Sequence, residues 1–151
     1  SNGLTPFLTT EGGVNSGYMI VQYSAASMVS ENKVLAHPAS VDSIPSSANQ
    51  EDMVSMGTTA ARKAGWIVQN TLSVLADELL TACQAIDIRR RLNTHGQGIS
   101  PVHQKVFDRV RKDAAFYETD RELWQDIKAV EQLVRNGELL SIVAQTVPDF
   151  E

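Results

Sequence analysis

A long helical pattern between residues 51 and 90 constrains this chain more than any other feature of its sequence. Apolar or small residues form two rows at heptad spacing, which are Val54, Ala61, Val68, Leu75 and Ala82 in the first row and Gly65, Leu72, Leu79 and Ile86 in the second. A seam sustained over several heptads predicts a helix that packs lengthwise against other helices. About forty residues of helix would be roughly 60 Å long, which suits an elongated bundle better than a compact globule.

A second long helix is predicted upstream of this seam. Asn15 or Ser16 can cap it, and it runs to about Ala36. The residue before a proline disfavours the helical conformation, so His37 and Pro38 end it. The helix is apolar nearly all round, which predicts that neighbouring helices surround it.

Shorter helices are predicted in the last third of the chain. Ser100 followed by Pro101 is a strong helix start. Thr119 and Glu122 have the spacing of a capping box for the next helix, which Gly137 closes. A short helical turn is expected after that glycine. Since no segment alternates apolar and polar residues as a strand would, we predict an all-α long-helix bundle without a sheet.

The organisation expected along the chain is one domain in two stretches. Residues 1–2 have the character of a cloning remnant. Residues 3–92 hold the long central-bundle helices and the loop between them, and residues 93–151 form a C-terminal helical segment of the same domain. A Gly-containing linker is expected from residue 92 to residue 99.

Charge and cysteine content narrow the possible partners of this chain. The net charge is −5, and the one dense cationic cluster, residues 89–91, ends a predicted helix, so no nucleic acid partner is expected. Residues 12–30 carry no charge but are too polar for a membrane span. Cys83 is the single cysteine, which excludes an internal disulfide framework and suits a cytoplasmic location.

Four segments of the chain resemble the histidine ammonia-lyases of the aromatic amino acid lyase family. They are residues 15–20, 30–43, 47–56 and 82–87. The resemblance implies the L-aspartase-like all-α fold, with long helices that join those of other subunits in a homotetramer. It also implies an electrophilic methylidene-imidazolone group, formed from an internal Ala-Ser-Gly tripeptide. The implied reaction converts L-histidine into trans-urocanate and ammonia, the first step of histidine catabolism.

The sequence departs from the family's pattern at the electrophile. Ala26-Ser27 is followed by Met28 and Ala39-Ser40 by Val41, so no Ala-Ser-Gly occurs. In the family this tripeptide lies far N-terminal to the segments matched here. We therefore expect the C-terminal portion of such an enzyme, without a cofactor of its own and inactive alone, because side chains offer no equivalent electron sink.

Glu51 is the predicted site residue. The resemblance places it in the family's Gln-Glu-Asp motif as an active-site glutamate that contacts the imidazole of the substrate. Gln50 either contacts the substrate as well or bonds only to backbone groups of the loop. Residue chemistry alone allows another interpretation, since Glu51 and Asp52 are acids of the type that complements a helix N-terminus.

Two alternatives to a histidine ammonia-lyase remain open from the sequence. A tyrosine ammonia-lyase or tyrosine 2,3-aminomutase shares the electrophile and a similar Gln-Glu-Asp region. The other alternative is a helical oligomerisation module without chemistry of its own. Broad apolar helix faces favour self-association in every case, to at least a dimer. No metal-ligand spacing is present among the three histidines.

Overall fold

A computed structural model describes residues 3–41, 43–92, 98–147 and 150. Its helices are α1 (Met19–Leu35), α2 (Gly57–Leu92), α3 (Pro101–Asp113), α4 (Trp124–Arg135) and α5 (Glu138–Thr146). Within the described ranges, extended pairing is limited to two isolated bridges, so the prediction of an all-α fold without a sheet is confirmed. The suspected cloning remnant and residues 93–97 of the predicted linker lie outside the described residues.

Helix α2 is the longest helix of the described residues, and the other elements are arranged around it. Its 36 residues give a length of about 54 Å, close to the predicted length. The helix begins at Gly57, however, and the predicted start at residue 51 or 52 is wrong. The preceding residues make hydrogen bonds within their own loop, and Met56 has a φ of 49°, which no α-helix contains.

Helix α1 also begins later than predicted, at Met19. The backbone N–H groups of Ser16 and Gly17 are held by the Asp120 carboxylate at 2.7 and 3.0 Å instead of continuing the helix. Gly17 has a φ of 57°, and a Cβ there would lie 2.5 Å from the carbonyl oxygen of Phe7. Only glycine fits this turn without a shift of the backbone.

The C-terminal helices follow the sequence signals in two of three places. The Ser100 side chain accepts a hydrogen bond from the His103 N–H, as expected of a helix cap. Gly137 has a φ of 74° and separates α4 from α5. The capping box predicted at Thr119 is wrong, since α4 has Leu123 at its N-cap without a side-chain bond.

The core lies around the second half of α2 (residues 76–92), where α3 and α4 pack on it and α5 packs on α3 and α4. Tyr18 and Val21, at the start of α1, belong to the same cluster. Its buried apolar side chains include Ala76, Leu80, Cys83, Phe107, Val110, Val130 and Leu133. Within α1 itself, by contrast, Val21 is the one buried residue of the described helix. The prediction that neighbours surround α1 is therefore wrong for this chain taken alone. No described helix is both long enough and apolar enough to span a membrane.

Candidate active-site loop

The loop 43–54 carries the predicted site residue and lies between α1 and α2. Both flanks are tied together, because the Lys63 ammonium donates to the carbonyl oxygen of His37 just after α1. About two helical turns further along α2, the Asn70 amide donates to Glu31 at 2.8 Å and to Asn32 at 3.0 Å. These bonds fix the end of α1 against α2 and hence the two ends of the loop.

The loop is closed by two sets of hydrogen bonds. Ser46 and Glu51 exchange both backbone bonds, with N···O distances of 2.7 and 3.3 Å, as an antiparallel pair does. Below this pair, the Ser43 hydroxyl donates to the Asp52 carbonyl at 3.0 Å and accepts from the Val54 N–H at 2.8 Å. The loop therefore has a defined conformation set by its own residues.

The tip of the loop is a left-handed turn. Ser47, Ala48 and Asn49 have φ angles of 50°, 55° and 65°, and the Gln50 N–H donates to the Ser47 carbonyl at 3.1 Å. Asparagine tolerates this region, whereas Ala48 there costs about 1–2 kcal/mol. Strain of this kind persists where the surroundings enforce it, and such positions cluster at functional sites.

Glu51 stands at the end of this turn with an exposed side chain. Its Oε2 accepts a hydrogen bond from the Ser46 hydroxyl at 3.3 Å. Because α2 begins at Gly57 and has no acid in its first turn, the interpretation of Glu51 as a helix-end residue is wrong. Gln50 is also exposed, and a contact between its side chain and a substrate stays a prediction.

The remaining ionisable candidates have structural surroundings. His103 lies in the first turn of α3, with its ring nitrogen 2.9 Å from the Ser100 hydroxyl, and His95 lies outside the described residues. Burial raises the pKa of the Cys83 thiol, which keeps it protonated. Among the residues that the structure describes, no three His, Cys, Asp or Glu side chains come together as a metal site would require.

Two features of the structure escaped the sequence analysis. The first is Ser46, whose only signal was its place just before the turn-forming Asn49. The second is Asp77, an acid among the apolar residues of the α2 seam. Asp77 is 2% exposed, and neither carboxylate oxygen has a hydrogen-bond partner. It lies at an apolar cleft of about 710 Å³ between α1 and α2, where burial raises its pKa to about 6.

The fold and the loop together define an all-α protein whose candidate site is presented between two long helices. The chain belongs to the aromatic amino acid lyase family, whose family model matches residues 1–112. This match confirms the resemblance found in the sequence.

Curated relatives with high identity are histidine ammonia-lyases. The chain is 50% identical to histidine ammonia-lyase 1 of Fusobacterium nucleatum over 151 residues, which is 100% of this chain and 28% of that protein. It is 55% identical to the histidine ammonia-lyase of Natranaerobius thermophilus over 149 residues, or 99% of this chain and 28% of that protein. The chain thus spans about 28% of the length of these relatives.

Solved structures give the same result. The histidine ammonia-lyase of Trypanosoma cruzi superposes with a TM-score of 0.86 at 45% identity, over 97% of this chain and 28% of that one. The tyrosine aminomutase of Streptomyces globisporus superposes with a TM-score of 0.86 at 35% identity, over 99% of this chain and 27% of that one. The long-helix architecture is therefore that of the family.

Proposed function

We propose that this chain is the C-terminal portion of a histidine ammonia-lyase, a carbon–nitrogen lyase that converts L-histidine into trans-urocanate and ammonia. The identity to histidine ammonia-lyases, 50% and 55%, exceeds the 35% identity to a tyrosine aminomutase. This difference disfavours the alternative of a tyrosine ammonia-lyase or aminomutase.

The main observation in support of a catalytic role is the position of the Glu51 side chain. Its carboxylate is exposed at the end of a strained, hydrogen-bonded turn, away from any helix terminus it could cap. An acid there can accept a charge-assisted hydrogen bond from an imidazole N–H, which the ring carbons of tyrosine or phenylalanine cannot donate. We assign Glu51 to orienting the imidazole of histidine, and Gln50 to a weaker second contact.

The residues of this chain do not supply the electrophile of the family. The methylidene-imidazolone group provides an electron sink for release of the amino group, and it requires an Ala-Ser-Gly tripeptide. Ser27 lies within α1 and Ser40 within a 3-10 turn, and neither is followed by glycine. The contribution of this chain to catalysis that we propose is therefore to hold and orient the substrate through the loop.

Self-association is the second part of the proposal. Large apolar side chains are exposed on α1 and on the first half of α2 (residues 57–75), namely Ile20, Tyr23, Val29, Val34, Trp66, Val68 and Leu75. Soluble monomers rarely expose apolar surface of this extent. We propose that these faces pair between copies, as a dimer or larger species of this chain and as a homotetramer of the whole enzyme.

Other partners and the cellular location complete the proposal. Arg90 and Arg91 lie over the rings of Phe107 and Phe116, at 4.6 and 3.7 Å from the ring centroids. Because these two guanidinium groups pack on aromatic rings, we interpret the cationic cluster as structural and propose no nucleic acid partner. We propose a cytoplasmic enzyme, in keeping with its single cysteine.

Glu51→Gln in the whole enzyme tests the assignment of the site. The substitution keeps the shape of the side chain and removes its charge, so kcat/KM for histidine should fall about ten- to hundredfold. The thermal midpoint should stay unchanged, because Glu51 is exposed.

Asp52→Asn is the matched control for this experiment. Asp52 is the neighbouring exposed acid, and it contributes its backbone carbonyl to the loop. We expect nearly normal kinetics from it. If Glu51→Gln turns histidine over at the normal rate, or both variants lose equally, the assignment of Glu51 is wrong.

The chain by itself should form no urocanate from histidine. Its sequence lacks the tripeptide that becomes the electrophile. The ultraviolet absorbance of urocanate measures this directly on the purified chain. Formation above that of a heat-treated sample would contradict the proposal.

A further inference from the structure

We propose that Ser46 is a positioning residue that orients the Glu51 carboxylate toward the substrate. The inference rests on the proposed role of Glu51. Ser46 touches that residue twice, through the backbone pair and through its hydroxyl, which donates to Oε2 at 3.3 Å. No other loop residue that the structure describes has a side-chain bond to this carboxylate.

A carboxylate on an exposed glutamate needs such a partner. Its side chain is long, and fixing it in one conformation costs rotamer entropy. The bond from Ser46 removes part of this freedom before the substrate arrives. A carboxylate has about four acceptor sites, so the bond leaves capacity for an imidazole N–H. Ser46 therefore preorganises Glu51 and does not compete with the ligand.

The strained turn explains why these two residues meet. The left-handed conformations of Ser47, Ala48 and Asn49 reverse the chain tightly enough for Ser46 and Glu51 to pair. The backbone pair brings the hydroxyl and the carboxylate to the same end of the turn. The strained backbone of the turn therefore serves to orient the Glu51 carboxylate.

Ser43 supplies an internal control for this inference. Among the described residues, its hydroxyl bonds only to backbone groups, the Asp52 carbonyl and the Val54 N–H. Ser43→Ala removes support for the loop, whereas Ser46→Ala removes a direct bond to the carboxylate. Comparing the two variants therefore distinguishes an effect on the conformation of the loop from an effect on the orientation of the Glu51 carboxylate.

The first experiment compares Ser46→Ala, Ser46→Thr and Ser43→Ala in the whole enzyme. A hydrogen bond of this class corresponds to a loss of about two- to tenfold in kcat/KM for histidine on Ser46→Ala. Ser46→Thr keeps the hydroxyl and should restore activity, with the same thermal midpoint as the wild type. The inference is overturned if Ser46→Thr loses as much activity as Ser46→Ala. It is also overturned if the activity loss of Ser46→Ala comes with a lowered thermal midpoint, as a loss of loop support in Ser43→Ala would.

A double-mutant cycle then links Ser46 to Glu51. In the Glu51→Gln background, Ser46→Ala should cause no further loss, because the group it orients has already lost its charge. Independent, multiplicative losses would overturn the inference. If Glu51→Gln impairs turnover and Ser46→Ala does not, only the role of Ser46 fails. If Glu51→Gln is harmless, the proposed role of Glu51 fails, and that of Ser46 with it.

Discussion

Helix α2 is one continuous helix with two different surroundings. All of its buried residues, from Ala76 to Ile88, lie in its second half, where α3 and α4 pack on it. Its first half contacts α1, and its Gln69 and Ser73 side chains donate hydrogen bonds to Glu131 of α4. Large side chains there, such as Trp66 and Val68, nevertheless stay more than half exposed. The same seam of apolar residues runs through both halves.

The difference between the two halves shows what a hydrophobic pattern can reveal. The pattern identifies the faces of a helix that are covered in the functional protein. It does not say whether residues of the same chain cover them. The second half of α2 is covered by residues of this chain, whereas the apolar side chains left exposed on its first half and on α1 are covered by other copies in the assembly that we propose.

The largest expected effect comes from a pair of leucines on α2. Leu80 is 0% exposed and Leu75 is 40% exposed. Leu80→Ala should lower the free energy of unfolding by about 2–5 kcal/mol, because it opens a cavity in the core. Leu75→Ala should cost less than about 1 kcal/mol in the monomer. Urea unfolding of both variants checks this, and equal losses would show that the halves do not differ.

Asp77 gives a pH-dependent effect at the boundary between the halves. Its pKa in the folded state is about 6, whereas the unfolded chain releases this proton near pH 4. Stability therefore falls as the pH rises from about 4 to 6 and stays lower above that. Asp77→Asn removes the charge, so it should stabilise the protein by about 2–3 kcal/mol at pH 8 and hardly at pH 4.

Glu78→Gln is the control for the Asp77 experiment. Glu78 is the neighbouring acid on α2, and it is exposed. Its substitution should change the free energy of unfolding at pH 8 by less than about 0.5 kcal/mol, as for an ordinary surface position. A wild-type protein that gains stability between pH 4 and pH 7 relative to Asp77→Asn would show that Asp77 has a donor in solution.

Two tryptophans of similar exposure, one on the first half of α2 and one on α4, test which surface takes part in self-association. Trp66 on α2 is 53% exposed and Trp124 on α4 is 55% exposed. If the first half of α2 is the associating face, Trp66→Glu should weaken self-association at least about tenfold, equivalent to 1.4 kcal/mol. Trp124→Glu should leave it unchanged. Sedimentation across micromolar concentrations measures both, and a wild-type chain that remains monomeric would contradict the proposed association.

The smallest effect is expected where Asp120 holds the turn before α1. The backbone N–H groups of Ser16 and then Gly17 lower the pKa of this carboxyl. Its contribution is therefore present above the usual pKa of an aspartate and is lost as the pH falls through the lowered value. Asp120→Asn should speed hydrogen exchange of the Ser16 and Gly17 amides and leave exchange in the core unchanged. Unchanged exchange at both amides would show that other contacts hold the turn.

Local signals in the sequence predicted local structure well. The cap at Ser100 and the left-handed Gly137 depend on neighbours within a few residues, and both were read correctly. The resemblance likewise identified the family and pointed to Glu51, whose role stays a prediction.

The errors arose where distant or unusual contacts decide the backbone. The start of α1 depends on Asp120, about a hundred residues away in sequence. The start of α2 depends on a left-handed turn at Ser47, Ala48 and Asn49, of which only Asn49 signals such a conformation. Helix propensity and charge pattern contain neither kind of information.

The contacts of the N-terminal segment have a consequence for the order of folding. Asp120 and Ser16 are 104 residues apart in sequence, and Gln84, which donates to the Leu8 carbonyl, is 76 residues from it. Contacts of such separation close large loops and form slowly, whereas only Asn136 and Gly137 lie between α4 and α5. During synthesis, the turn at Ser16 and Gly17 can therefore be fixed only after the chain has grown past Asp120. Until then, α1 and its apolar face lack the contact with Asp120 that holds the N-terminal end of the helix.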